Sequence, residues 1–244
     1  MTIKEAGNLL DIEDKHIVGL YQFGSVVYGT QTPKSDEDFI CIVSGCKYLD
    51  STFISANINI SIYEANHFEQ MLFQQDIVAL ECYFLPPKHI IRAFPMQWNL
   101  DKGQLRKSIS TVSNHSWIKG KKKLTVASDY QKIIGIKSIF HSLRILDFAL
   151  QILETNRIYD YQKNAFILFD LHKLAQKHER SDLWNIIESK YKSQFKNAKQ
   201  ALKHAVPKHL MEHNGQKQAL IQILKSYKIV PQKALVKDIL ELFE

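Results

Sequence analysis

Between Asn57 and Tyr63 the side chains alternate: Ile58, Ile60 and Ile62 fall on one side, and Asn57, Asn59, Ser61 and Tyr63 on the other. A period of two belongs to an extended strand with one buried and one polar face, and no α-helix accommodates it. The chain must therefore build a sheet. Two more strands are predicted from apolar runs. Ile17–Phe23 is closed by Gly24, and Phe39–Val43 is entered by the acidic cluster Asp36, Glu37 and Asp38. Phe68, Leu72 and Gln75 give Glu64–Gln75 a helical spacing, and Pro86-Pro87 ends the segment that follows.

After about Gly103 the strand signal stops. Leu105–Trp117 and Tyr130–Thr155 carry apolar residues at helical intervals, and Asn164–Lys177, Asp182–His204 and Gln216–Tyr227 read as helices too. Charge divides at the same place. Residues 1–102 hold 7 Lys/Arg against 13 Asp/Glu, whereas residues 103–244 hold 25 against 12. The expected organisation is a sheet-containing module over 1–102 followed by a basic helical bundle over 103–244, the latter attractive to polyanions such as nucleotides or nucleic acid. A hydrophobic fraction of 45% with 23% charged residues is ordinary for a soluble globular chain. No apolar run approaches membrane-spanning length, and Met1–Glu13 lacks the uninterrupted apolar stretch of a secretory signal. A cytoplasmic location without membrane association is expected. Cys41, Cys46 and Cys82 sit in apolar sequence without a Cys-x-x-Cys pair, so buried free thiols are expected in place of zinc ligands or disulfides.

Chemistry concentrates between Tyr21 and Val43. Gly24-Ser25 follows a predicted strand and opens a short helical turn through Val26-Val27-Tyr28. Glycine lets the backbone turn sharply and approach a ligand, and free N–H groups beside a serine hydroxyl suit phosphate oxygens. Asp36 and Asp38 lie two apart at the head of the next strand, so both carboxylates share a face. Such a pair suits Mg²⁺ (or Mn²⁺), with a triphosphate supplying further oxygens. In the helical half, Lys137, His141 and Arg144 follow i, i+4, i+7 and share a helix face, forming a phosphate-reading stripe if that face turns toward Gly24-Ser25. Two other basic segments read differently. Tyr191 and Phe195 among the lysines of 190–208 fit an apolar helix face better than a base-stacking surface, and Lys119–Lys123 reads as a solvated loop or a lip over a cleft.

The motif Phe23-Gly24-Ser25-(x)₃-Gly29-Thr30, followed by Ser35-Asp36-Glu37-Asp38-Phe39, resembles the signature of the DNA polymerase β superfamily. More narrowly it resembles the minimal nucleotidyltransferases of bacteria and phages, including the polymerase β-like RNA-repair proteins. The similarity extends through Asn59-Ile60-Ser61-Ile62-Tyr63 and Leu80-Glu81-Cys82-Tyr83-Phe84, covering roughly residues 17–90, and more loosely into the helix of Lys137, His141 and Arg144. The resemblance implies an α+β fold: a small mixed β-sheet nucleotidyltransferase domain over 1–102 followed by a basic α-helical domain over 103–244. It implies Mg²⁺-dependent transfer of a nucleoside monophosphate from a nucleoside triphosphate to a hydroxyl, nucleic acid being the expected acceptor ahead of a protein or small molecule. Gly24, Ser25, Lys137, His141 and Arg144 would bind the nucleotide; Asp36 and Asp38 would hold metal. The chain departs from the family at the third acidic position, which falls on Asn59. An amide can offer oxygen to Mg²⁺ but cannot act as a general base near neutral pH, so a binding module with impaired turnover is the alternative.

Overall fold

The computed structural model describes residues 1–45 and 51–208. Cys46 and the helix expected over 216–227 lie outside the described residues. Five strands form one mixed sheet: β1 (Ile17–Phe23), β2 (Glu37–Val43), β3 (Ser51–Ser55), β4 (Ile58–Glu64) and β5 (Ile90–Arg92), in the order β3-β4-β2-β1-β5. β2 and β4 pair in parallel, and the remaining neighbours run antiparallel. Seven α-helices are described: α1 (Ile3–Leu10), α2 (Ala65–Phe73), α3 (Ile77–Tyr83), α4 (Lys102–Thr125), α5 (Lys132–Thr155), α6 (Ala165–Lys177) and α7 (Arg180–Ala205). The chain is thus α+β, with its strands before residue 93 and its long helices after residue 101. None of the described helices is long and apolar enough to cross a membrane.

Strand alternation sorts side chains onto two buried faces. Phe39, Cys41 and Val43 of β2 join Ile60 and Ile62 of β4 and Ile17 and Leu20 of β1 under α1, whose Ala6 and Leu10 complete that cluster. Ile40 and Ile42 point the other way, with Tyr21, into a larger core. That core runs without interruption through Phe68, Leu72 and Leu80 of α2 and α3 to Leu105, Ile139 and Ile187 of α4, α5 and α7. Sheet and bundle therefore share one apolar interior.

Within the bundle, α4 and α5 approach closely where Gly120 meets Gly135. A Cβ at Gly120 would lie 2.5 Å from Ile139 Cδ1 and 3.0 Å from the Gly135 carbonyl oxygen. This contact corrects the reading of Lys119–Lys123, which belongs to α4 and is neither a loop nor a lip. Lysine is a good helix former, the glycine face turns inward, and Lys122 and Lys123 both pair with Asp129 beyond the helix end. Tyr191 and Phe195 of α7 are buried, as their apolar spacing predicts; Phe195 stacks on Trp117 at 4.4 Å and the Tyr191 hydroxyl donates to Asp170. Cys41 and Cys82 are both buried.

Candidate active site

β1 ends at Phe23, which lies opposite Asp38 in the antiparallel ladder. Gly24 then adopts φ +70°, a left-handed backbone that L side chains resist, and begins a single 3₁₀ turn over Gly24–Val26. The Val27 and Tyr28 amides both donate to its carbonyl. Space adds a second demand, because a Cβ at Gly24 would collide with the carboxylate of Asp38. The turn and the carboxylate are packed against each other.

Asp36 and Asp38 share the alternation of Ile40 and Ile42, so Asp38 heads the strand face that looks toward the helical bundle. Parallel pairing sets Asn59 of β4 directly beside Asp38. Its Nδ2 donates to Asp38 Oδ1 at 3.1 Å and, at the longer distance of 3.5 Å, to Asp36 Oδ2. Burial raises the pKa of Asp38; the Asn59 hydrogen bond opposes the rise and the neighbouring Asp36 charge adds to it, while Lys137 and the Ser25 backbone N–H oppose it. The Ser25 hydroxyl oxygen is buried and has no hydrogen-bond partner among the described residues.

These groups form one wall of a cleft of about 460 Å³, within the size range of small-molecule sites. The opposite wall comes from α5 and α6. All of Gly24, Ser25, Asp36, Asp38, Asn59, Lys137, His141 and Arg144 line it, so the helical stripe and the Gly-Ser turn face a common space. Lys34 and His172 also line it and escape sequence reasoning. No local pattern marks either residue; only the docking of α6 against the sheet-borne turn brings His172 in.

Arg144 is engaged on its far side. Its Nη1 donates to Glu81 Oε2 at 2.8 Å, with the two side chains 4% and 1% exposed, and the guanidinium lies 3.7 Å from the Tyr28 ring centroid. Tyr28 Oη donates to the same carboxylate oxygen at 2.6 Å, and Tyr161 Oη to the Glu81 carbonyl at 2.7 Å. Burial works against the Arg144 charge, but Glu81 and Tyr28 together outweigh it and the guanidinium stays cationic. Nε has no partner among the described residues. Nη2 lies 3.0 Å from His141 Nδ1. A guanidinium can only donate, so Nδ1 accepts and the ring proton sits on Nε2. Burial, followed by Arg144 and Lys119, pushes the His141 pKa down to about 3, and burial, followed by Lys137, lowers that of His172. Both imidazoles therefore face the cleft uncharged near neutral pH.

Among the described residues no group of three or more His, Cys, Asp or Glu side chains converges as a metal cage. Asp36 and Asp38 offer two hard carboxylate donors, and Asn59 an amide that presents oxygen when rotated about its Cβ–Cγ bond axis. That donor set fits Mg²⁺, which commonly takes one or two protein carboxylates and draws its other ligands from phosphate and water. The chain matches no protein-family model and no curated protein.

Proposed function

We propose that the chain is a Mg²⁺-dependent nucleotidyltransferase with a polymerase β-like catalytic domain. It would move a nucleoside monophosphate from a nucleoside triphosphate to a hydroxyl acceptor, with pyrophosphate leaving. One observation carries the proposal: the Gly24-Ser25 turn packs onto Asp38, beside Asp36, and faces Lys137 across a nucleotide-sized cleft.

Asp36 and Asp38 hold the metal, with Mn²⁺ as a substitute. When bound, the metal neutralises phosphate charge and orients the reacting oxygens. The unpartnered Ser25 hydroxyl donates to a phosphate oxygen, and Lys137 supplies a point charge from the opposite wall. Arg144 contributes less charge than its type suggests, since Glu81 neutralises most of it. It holds His141 in the Nε2–H form, a neutral donor available to the ligand. Asn59 keeps the carboxylates together but takes no proton from the acceptor.

Asn59 also favours a second reading. Its amide already satisfies both carboxylates, as suits a module that binds nucleotide with little turnover. Radiolabelled nucleoside triphosphates, offered with Mg²⁺ and a mixed acceptor pool, separate the two. The transferase reading expects label transfer that drops by about 100-fold or more in Asp36→Ala and Asp38→Ala, and transfer surviving in either variant refutes it. Absence of transfer, together with triphosphate-dependent thermal stabilisation, leaves the binding module. Asn59→Asp is expected to raise the transfer rate.

A further inference from the structure

Helix α6 turns Leu168 and His172 into the cleft, and its neighbouring face carries Phe166, Phe169 and Lys173 into solvent. The three residues follow i, i+3, i+7 and lie in one stripe. Phe166 is 62% exposed and Phe169 is 42% exposed, although a phenylalanine normally buries its ring. Two such rings in one row, each within four residues of a cleft-lining side chain, make an uncovered apolar strip beside the site. Lysines lie beside it. Lys173 belongs to the stripe, and Lys137 and Lys34 line the adjoining cleft together with the Asp36 and Asp38 carboxylates. Residues 103–244 hold 25 Lys/Arg against 12 Asp/Glu.

From this we infer that Phe166 and Phe169 form a stacking platform for a single-stranded nucleic acid, with Lys173 on its backbone, leading a strand end into the cleft. The inference rests on the proposed transferase reading for the fate of that end, but the binding surface stands on its own geometry. Rings of this kind accept any base through its π face, and lysines at this spacing track phosphates; together they bind single strands without strong sequence preference. A duplex hides its base faces and lacks that contact. A protein partner would leave the cations unexplained, and α6 keeps its acidic residue, Asp170, occupied by Lys190 and Tyr191.

Full-length protein is titrated with fluorescently labelled twelve-residue single strands of RNA and of DNA, and with a duplex, by anisotropy. Phe166→Ala/Phe169→Ala is expected to weaken single-strand binding by about 10-fold or more, without moving the thermal midpoint or the affinity for Mg²⁺-triphosphate. Lys173→Gln is expected to weaken it several-fold and to lower the salt slope by about one. Phe169→Trp should bind as wild type and show quenched indole emission on strand addition, which keeps the test independent of any folding defect. Wild-type affinity in the double variant overturns the platform, as does a lower thermal midpoint or an altered oligomeric state with binding intact, since the rings then serve another chain segment or a second copy. Asp36→Ala separates the two proposals: strand binding that persists there, while triphosphate transfer is absent from every protein tested, retains the platform and removes the transferase.

Discussion

At the residue scale, His141 shows how a charged-looking position becomes a neutral one. In sequence it belongs to a basic stripe with Lys137 and Arg144; in the cleft it accepts from Arg144 and carries its proton on Nε2. Its folded pKa, near 3, lies below the unfolded value of about 6.5. The native state therefore binds fewer protons than the unfolded chain, and the stabilisation is present above pH 6.5 and lost progressively as pH falls toward 3. Urea melts at pH 7 and pH 5 are expected to differ by a smaller amount in His141→Gln than in wild type, with about 1–2 kcal/mol of the acid sensitivity removed. Nitrogen-15 spectra should show the His141 imidazole in its neutral Nε2–H form across pH 5–8; an imidazolium signal titrating at His141 itself would remove the donor role. The same scale sets the limit of what the chain discloses before folding. Gly24, Asp36 and Asp38 are legible because spacing along the chain is itself the signal. Arg144's partner is not, because Glu81 stands 63 residues away and only the packing of α3 on α5 joins them.

Elements whose periodicity reflects burial are the ones legible in advance. Ile17–Phe23 forms a strand over the range its apolar run marks, and β4 buries Ile60 and Ile62 as alternation requires. β3 gives no such signal. Only Phe53 of Ser51–Ser55 is even half-buried, so ladder hydrogen bonds to β4, and not side-chain burial, hold it in place. β5 is three residues long, too short for any period to show. α1 did carry a marker: Thr2 and Glu5 form a capping box, a pattern readable from two residues three apart. At this scale α3 and α5 are joined by a buried ion pair, and removing one partner strands the other charge in an apolar interior. Glu81→Ala is expected to lower stability by about 3–5 kcal/mol, measured by denaturant melts. Arg144→Met with Glu81→Leu should recover much of that loss, because the pair as a whole adds little over apolar packing.

For the whole molecule, charge and hydrophobicity give different boundaries. Composition changes near residue 102, yet the larger core passes through that point from Tyr21 and Phe68 to Ile139 and Ile187. Acidic and basic halves describe the surface, whereas the interior is continuous. Heating the full chain is expected to give a single calorimetric transition for the described body, and a fragment of residues 1–102 is expected to expose Ile42, Phe68 and Leu80 and to show the dye binding and weak near-ultraviolet dichroism of a loosely packed state. Two well-separated transitions would contradict the shared interior.

The cleft has its two walls on distant stretches of the chain, residues 24–59 on one side and 133–172 on the other. This ordering matters during synthesis. A ribosome releases the carboxylate pair long before it makes His172, so a chain that stops before α5 carries Asp36 and Asp38 without the wall that would press a ligand against them. Chains ending before α5 are expected to be inert toward nucleotide, so whatever chemistry the site performs waits until both walls have been made and folded.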